Sequence, residues 1–222
     1  MRKELNPLYA MTTIGLSTVM AVFQSCSDDQ YTYPSVTTDL VCISTNASAH
    51  AVTLTKDDGH TLEITNPITT PTPDTIYRCM AVYSTDDGQT ATLYSLTSVF
   101  SPLPVPSKVI SEHTADPVKL TSSWLSGGYI NLHIGIPTTL NNGHAFAFSE
   151  DSITTARTDG ARILHISLVH KAPADDPPSF TEEAYMSIPL KQYSAVLSDN
   201  DSVKLRINTT DGWKEIGYRF IW

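Results

Sequence analysis

Short turn-forming dipeptides recur along this chain and constrain its fold more than any other feature. Asp58-Gly59 and Gly127-Gly128 are two of them, and further ones stand at Asp86-Asp87-Gly88, Asn142-Gly143, Asp159-Gly160 and Asp211-Gly212. Glycine accepts the positive φ angles of tight turns between strands. The stretches between these turns alternate apolar and polar residues, and a helical period is weak even at Leu190–Leu197. We therefore predict an all-β protein.

Five strand candidates lie between residues 39 and 101. They are Asp39–Thr45, the two arms of His50–Thr65, Asp74–Ser84 and Gln89–Phe100. Val52 and Leu54 alternate with polar residues before Asp58-Gly59, and Leu62 and Ile64 show the same alternation after it. This pattern predicts a hairpin. Five short strands at this spacing predict an OB-like five-stranded barrel over residues 39–101.

A second group of strand candidates follows a proline-rich linker, residues 102–117. Its start, Ser101–Ser107, has three alternating prolines, which predict a stiff extended connector rather than a strand interior. Seven candidates come after it: Val118–Leu125, Tyr129–Ile136, His144–Ser149, Arg162–His170, Glu183–Ile188, Ser202–Asn208 and Lys214–Trp222. Their number and spacing predict a seven-stranded β-sandwich over residues 118–222.

The amino-terminal residues predict export. Arg2 and Lys3 precede an uncharged segment whose apolar part is Ile14–Phe23, and the small residue Ser25 stands before Cys26. This order is typical of a lipoprotein signal peptide, residues 1–25, with fatty acyl chains such as palmitate on Cys26. The alternative is an ordinary secretory signal in which Cys26 is incidental. No second uncharged run approaches membrane-spanning length, so we expect membrane contact only at this end.

Residues 26–38 form the predicted acylated start and a flexible tether. Ser27, Asp28 and Asp29 resemble the acidic export tag of surface-exposed lipoproteins in Bacteroidota, although a solvated spacer would look the same. Each buried methylene contributes about 0.8 kcal/mol, so several acyl chains hold a protein firmly. We expect an outer-membrane lipoprotein that faces the outside or, alternatively, the periplasm.

Charge and composition limit the partners. The net charge is −9, and loss of Arg2, Lys3 and Glu4 with the signal makes the mature chain one unit more negative. An acidic surface repels phosphate backbones, so we expect no nucleic-acid partner. With 17% charged and 41% hydrophobic residues, the composition is that of a globular protein.

Two cysteines remain when Cys26 is acylated. Cys42 and Cys79 fall on the first and fourth barrel strands, which are neighbours in an OB-like barrel. An exported protein meets an oxidising compartment, so a disulfide between them is one interpretation. Buried free thiols are the other, because the register of the two strands is unknown.

No motif predicts a cofactor, a metal or a catalytic centre. The seven histidines lack metal-ligand spacing, and nucleotide-binding glycine motifs are missing from the sequence. Asp199-Asn200-Asp201 suggests calcium, but turns between strands are commonly rich in such residues. Glu150-Asp151 and Glu182-Glu183 could supply a hydrolase pair, although solvated loops are the simpler interpretation.

One hairpin carries a family resemblance. Trp124–Leu132 (WLSGGYINL), followed by Asp201–Arg206 (DSVKLR), resembles the signature of NigD-like lipoproteins. The resemblance implies a lipoprotein signal, an OB-like domain and a β-sandwich, and it implies no catalytic residues. In physical terms Gly127-Gly128 permits a tight turn, and Trp124 and Tyr129 can pack across it or face a ligand.

Together these features predict a non-catalytic binding module at the cell envelope. The first hypothesis is that the ligand is another protein, including a peptide toxin against which this module confers immunity, as the bacteriocin origin of the family suggests. The second hypothesis is that the ligand is a glycan beside an uptake system. Tyr77, Tyr83 and Tyr94 are candidates for a stacking platform on the barrel, although strand tyrosines are commonly half-buried. A cryptic hydrolase is the third hypothesis.

Overall fold

Thirteen β-strands account for nearly all secondary structure in this computed structural model, which describes residues 35–139, 143–156, 160–173 and 178–220. The rest are two 3-10 turns, Ser107–Val109 and Lys191–Tyr193, so the predicted all-β fold is confirmed. In these ranges no helix is long and apolar enough to cross a bilayer. The predicted lipid-attachment residue Cys26 and the predicted tag Ser27–Asp29 lie outside the described residues.

The first five strands close into a barrel, as predicted. They are β1 (Thr37–Thr45), β2 (Ala51–Lys56), β3 (Thr61–Ile64), β4 (Ile76–Ser84) and β5 (Thr90–Ser98). The order around the barrel is β1-β2-β3-β5-β4, and β4 pairs back with β1. Only β3 and β5 run parallel; the other neighbours are antiparallel. This closure leaves the barrel without an unpaired edge.

Strand alternation places the barrel core. On β1, Val41 and Ile43 point inward and are fully buried, with Leu54 of β2 against them. Each such aliphatic side chain contributes about 1.5–3 kcal/mol when it leaves water. Tyr83 is also inside, only 2% exposed, so it cannot belong to a surface stacking platform. That hypothesis for Tyr77, Tyr83 and Tyr94 is wrong because β4 turns Tyr83 toward the core.

The remaining strands form a two-sheet sandwich. They are β6 (Val105–Pro106), β7 (Lys119–Ser126), β8 (Tyr129–Thr138), β9 (Ala145–Thr155), β10 (Arg162–Lys171), β11 (Phe180–Pro189), β12 (Ser202–Thr209) and β13 (Gly212–Arg219). One sheet has the order β13-β12-β10-β9-β6 and the other β11-β8-β7. The seven predicted strands are therefore present, and the predicted linker adds a short edge strand, where proline is tolerated.

The sandwich core lies between the two sheets. Ile130, Leu132 and Ile134 alternate along β8 and are fully buried, and Phe148 and Leu205 meet them from the opposite sheet. The other face of β8 therefore carries Tyr129, Asn131 and His133 away from this core. That outer face of the three-stranded sheet is the one that matters for the site below.

The two described cysteines are free thiols on opposite faces of neighbouring strands. Cys42 pairs in register with Arg78, and Cys79 pairs with Val41. Cys79 therefore points into the barrel core, whereas Cys42 points outward and is half-buried. The strands are neighbours, as the sequence indicated, but their register turns the two side chains apart. The disulfide that the sequence left open is not formed in this structure.

This difference predicts unequal thiol reactivity. Burial raises the pKa of Cys79 to about 11, and that thiol is 2% exposed. The thiolate is the reactive form, so maleimide at mildly alkaline pH should label Cys42 in the native protein and Cys79 only after denaturation. Peptide mapping without reductant measures both sites, and Cys42→Ser should remove only the native label. A Cys42–Cys79 cross-linked peptide would contradict the assignment.

Candidate functional site

The barrel and the sandwich meet through one wall of each and belong to one compact unit, Ser35–Trp222. The barrel wall is the outer face of β1 and β4, which presents Cys42 and Arg78 opposite each other. The sandwich wall is the outer face of the three-stranded sheet, centred on Asn131 of β8. Arg78 is only 5% exposed and Asn131 is fully buried, so polar side chains are enclosed between the two domains.

Arg78 is the centre of this junction. Its guanidinium donates to both carboxylate oxygens of Asp57, from Nη1 at 2.5 Å and from Nη2 at 2.9 Å. Nη2 also donates to Asn131 Oδ1 at 3.1 Å and Nε to Ser187 Oγ at 3.4 Å. The ring of Tyr129 lies under the guanidinium, 4.3 Å from Cζ to the centroid. A bidentate pair of this kind fixes orientation as well as charge.

The sandwich completes the network around the ion pair. Ser126 Oγ donates to Asp57, and Asn131 Nδ2 donates to Ser126 Oγ at 2.9 Å. Ser187 Oγ donates to Asn131 Oδ1 at 2.7 Å. Removing one partner of a buried pair costs about 3–5 kcal/mol because a charge stays uncompensated. The relative position of the two domains is therefore set by one connected group of polar atoms.

Gly127 explains the close approach of the β7–β8 turn to the barrel. Gly127 and Gly128 have φ angles of +59° and +77°, the geometry of a tight two-residue hairpin. A Cβ added at Gly127 would lie 2.5 Å from Asp57 Oδ1. The predicted turn is thus confirmed, and its first glycine is also needed for contact with the carboxylate that pairs with Arg78.

A cleft of about 450 Å³ opens beside this network. The barrel supplies Leu40 and Met80 to its lining, and the sandwich supplies Trp124 and Tyr185. Among the described residues, the charged ones that line it come from the barrel: Asp39, Lys56, Asp57 and Asp58. The volume falls within the range of about 300–1,000 Å³ that is typical of ligand sites.

The aromatic wall of the cleft is held in place by neighbouring strands. Trp124 pairs across β7 and β8 with Asn131, so it adjoins the buried network. Tyr185 stacks on His133, with 4.5 Å between ring centroids and an interplanar angle of 7°. His133 Nε2 lies 2.9 Å from a Glu183 carboxylate oxygen. These contacts fix the orientation of the Tyr185 ring in the cleft wall.

Two of the three carboxylates in the charged wall of the cleft form ion pairs with basic residues of the barrel. Asp57 is held by Arg78, and Asp58 lies 3.2 Å from Lys56 Nζ. The His60 backbone N–H and then Lys56 lower the pKa of Asp58. Asp39 accepts a hydrogen bond of 2.9 Å from the Tyr83 hydroxyl. A general acid at neutral pH needs a raised carboxyl pKa, and the pKa of Asp58 is shifted in the opposite direction.

A second concavity of about 440 Å³ contains Asp199–Asp201, for which the sequence left a calcium loop or an ordinary turn as alternatives. The carboxylate of Asp201 accepts from the backbone N–H groups of Arg162 at 2.6 Å and Ser198 at 2.8 Å, which lowers its pKa. The Asp201 carboxylate therefore closes a turn of the backbone. Among the described residues, no group of three or more His, Cys, Asp and Glu is arranged to hold a metal ion.

The structure distributes the predicted site residues unevenly. Cys42 lies at the junction, 3.4 Å from the Tyr129 hydroxyl, while Cys79 belongs to the barrel core. Sequence reasoning missed Arg78 and Asp57 altogether. A signal was present, because Arg78 is the one charged residue within the strand Ile76–Ser84. Trp124, considered both as packing and as a ligand contact, does line a cleft.

Substitution of Gly127 tests the junction. Gly127→Ala should lower the free energy of unfolding by about 2–4 kcal/mol, because the positive φ costs about 1–2 kcal/mol and the new Cβ displaces Asp57. Gly88→Ala is the matched control: its φ is +69°, and nothing lies within 4 Å of the added Cβ. Its cost should be about 1–2 kcal/mol. Urea unfolding measures both, and equal losses would contradict the proposed close approach.

Comparisons with known proteins agree with this architecture. A NigD-like immunity protein from Bacteroides caccae has 26% identity and a TM-score of 0.63, covering 85% of this chain and 94% of its own. A protein of unknown function from Bacteroides vulgatus has 14% identity and a TM-score of 0.61, covering 84% and 92%, and shows the fold alone. The search of curated proteins finds no match. The family model of the NigD-like C-terminal beta sandwich domain matches residues 102–219, so this chain belongs to the NigD-like family.

Proposed function

We propose that this protein is an exported envelope lipoprotein, attached by acyl chains on Cys26 and acting as a non-catalytic binding module. The signal-like residues before Cys26 support the anchor, and the acidic tag Ser27–Asp29 supports display at the outer-membrane surface. The similar protein from Bacteroides caccae is named an immunity protein. Protection against a peptide toxin, as a bacteriocin would be, is the form of binding that this likeness favours.

The cleft between the domains is the observation that carries the binding role. Its walls come from two domains that a buried ion pair holds together, so a ligand meets a preformed site. The aromatic pair Trp124 and Tyr185 supplies large contact area at small entropic cost. The domain boundaries that we propose, 39–101 and 118–222 around a linker at 102–117, place one wall in each domain.

Glycan binding is the second candidate function. It is favoured by the same two aromatic rings, since exposed rings along a groove suit the flat faces of sugars. The catalytic alternative has less support, because Asp57 is committed to Arg78 and the pKa of Asp58 is lowered. We therefore infer a module that binds without transforming its ligand.

The anchor is tested by Cys26→Ala. Without acyl chains the protein should leave the membrane fraction for the soluble one, because no other predicted segment provides a comparable hydrophobic attachment. Cys42→Ala, which removes the other non-core cysteine, should stay with the membrane. Fractionation and mass spectrometry of the amino-terminal peptide measure the result. Membrane retention of Cys26→Ala, or an unmodified Cys26 in the native host, would overturn the anchor.

The cleft is tested by in-cell cross-linking and affinity capture. Trp124→Ala should reduce capture of the physiological partner by about tenfold or more, as loss of a central aromatic contact does. Trp213→Ala is the matched control, since Trp213 is 53% exposed on β13 of the other sheet. Mass spectrometry quantifies the captured molecules. If capture is unchanged in Trp124→Ala and reduced in Trp213→Ala, the partner binds outside the cleft.

A further inference from the structure

We propose that the cleft selects a basic peptide segment, with a lysine or arginine side chain packed along Trp124 and its charged end at Asp39. The inference rests on the proposed function of the cleft as a binding site and adds the chemical class of the ligand. It follows from three properties of the lining: an uncompensated carboxylate, an aromatic and apolar wall, and the spacing of the two rings.

Among the carboxylates that line the cleft, Asp39 is the one that forms no ion pair with a described basic residue. Asp57 already pairs with Arg78, and Asp58 pairs with Lys56. Asp39 is half-buried, and its hydrogen-bond partner is the neutral Tyr83 hydroxyl. No lysine, arginine or histidine forms an ion pair with Asp39 within the described ranges. A partly desolvated carboxylate attracts a cation more strongly than one in water.

The rest of the lining suits the stem of a long basic side chain. Trp124 and Tyr185 line the cleft with aromatic rings, and Leu40 and Met80 add aliphatic surface. Lysine and arginine bury their methylene stems on such surfaces while the charged end reaches an acceptor. A cation over an aromatic ring within about 6 Å gains roughly 0.5–2 kcal/mol, and tryptophan is the best ring for it.

Two contacts of this kind occur among the described residues. Arg78 lies 4.3 Å over the ring of Tyr129, and Arg206 lies 4.2 Å over the ring of Trp213. Arg78 belongs to the buried polar network of the junction, whereas Arg206 lies on an exposed sheet face. Trp124 lines the cleft without such a cation among the described residues. A basic side chain of a ligand would complete the same arrangement there.

The spacing of the rings indicates an extended peptide. Trp124 on β7 and Tyr185 on β11 are separated by one intervening strand and offset by two residues. Strand spacing of about 4.8 Å and a rise of about 3.3 Å per residue place their backbones about 12 Å apart. Three or four residues of extended chain span that distance. The net charge of −9 adds long-range attraction for a basic segment.

The test uses residues 27–222, which contain both hydrophobic cores, and two blocked synthetic peptides. One peptide alternates leucine and lysine; the other carries acetyllysine at the same positions, so it keeps the stem and loses the charge. NMR follows the indole N–H signal of Trp124, and calorimetry measures affinity. The lysine peptide should shift that signal, bind about tenfold or more tightly than its acetylated form, and weaken as salt is raised.

Asp39→Asn isolates the carboxylate, because asparagine keeps the acceptor for the Tyr83 hydroxyl. It should lower affinity for the lysine peptide about tenfold and leave the acetylated peptide unaffected. Asp211→Asn makes the same charge change on an exposed loop outside the cleft and should bind as the wild type does. Equal affinity for the two peptides, or unchanged affinity in Asp39→Asn, would overturn the inference.

Neutral oligosaccharides separate this inference from the function on which it rests. If cellohexaose, xylohexaose or maltoheptaose shifts the Trp124 signal and the lysine peptide does not, the ligand class is wrong while the cleft remains the binding site. If none of these probes shifts it, and in-cell capture is also insensitive to Trp124→Ala, the cleft itself is not the site.

Discussion

The buried ion pair between Arg78 and Asp57 is the interaction on which the two-domain arrangement depends. A guanidinium taken out of water costs several kcal/mol unless its donors are satisfied. The barrel supplies Asp57, but Asn131 and Ser187 come from the sandwich. Burial disfavours the charge, yet the bonds and charge of Asp57 raise the pKa of Arg78 above its ordinary value. In this placement of the sandwich, Asp57, Asn131 and Ser187 together satisfy the guanidinium.

One hairpin links that junction to the cleft. Ser126, Gly127 and Asn131 serve the ion pair, whereas Trp124 lines the cleft beside it. The stretch Trp124–Leu132 that resembles the family signature is therefore a structural element with two consequences. It docks the sandwich on the barrel, and it places an aromatic ring against the barrel's charged residues. A change in the docking would change the shape of the cleft.

The residues that dock the two domains and the residues that give the cleft its charge lie mostly in different domains. The family match covers the sandwich, residues 102–219, and the junction residues Ser126, Asn131 and Ser187 fall within it. The charged wall of the cleft belongs to the barrel. The charge of the barrel wall can change without loss of a docking contact, because Asp39 and Asp58 make no bond to the sandwich among the described hydrogen bonds.

The sequence patterns that predict this fold are local. Alternation of apolar residues and glycine turns act over a few positions, so the barrel strands, the seven sandwich strands and the Gly127-Gly128 hairpin were predictable. The contacts of Arg78 depend on long-range packing, since its bond to Ser187 joins positions 109 residues apart. The tertiary structure also decided that Cys42 and Cys79 point apart, since a shift of one residue in register reverses every side chain on a strand. The cleft arises from the same long-range docking, and no local pattern encodes it.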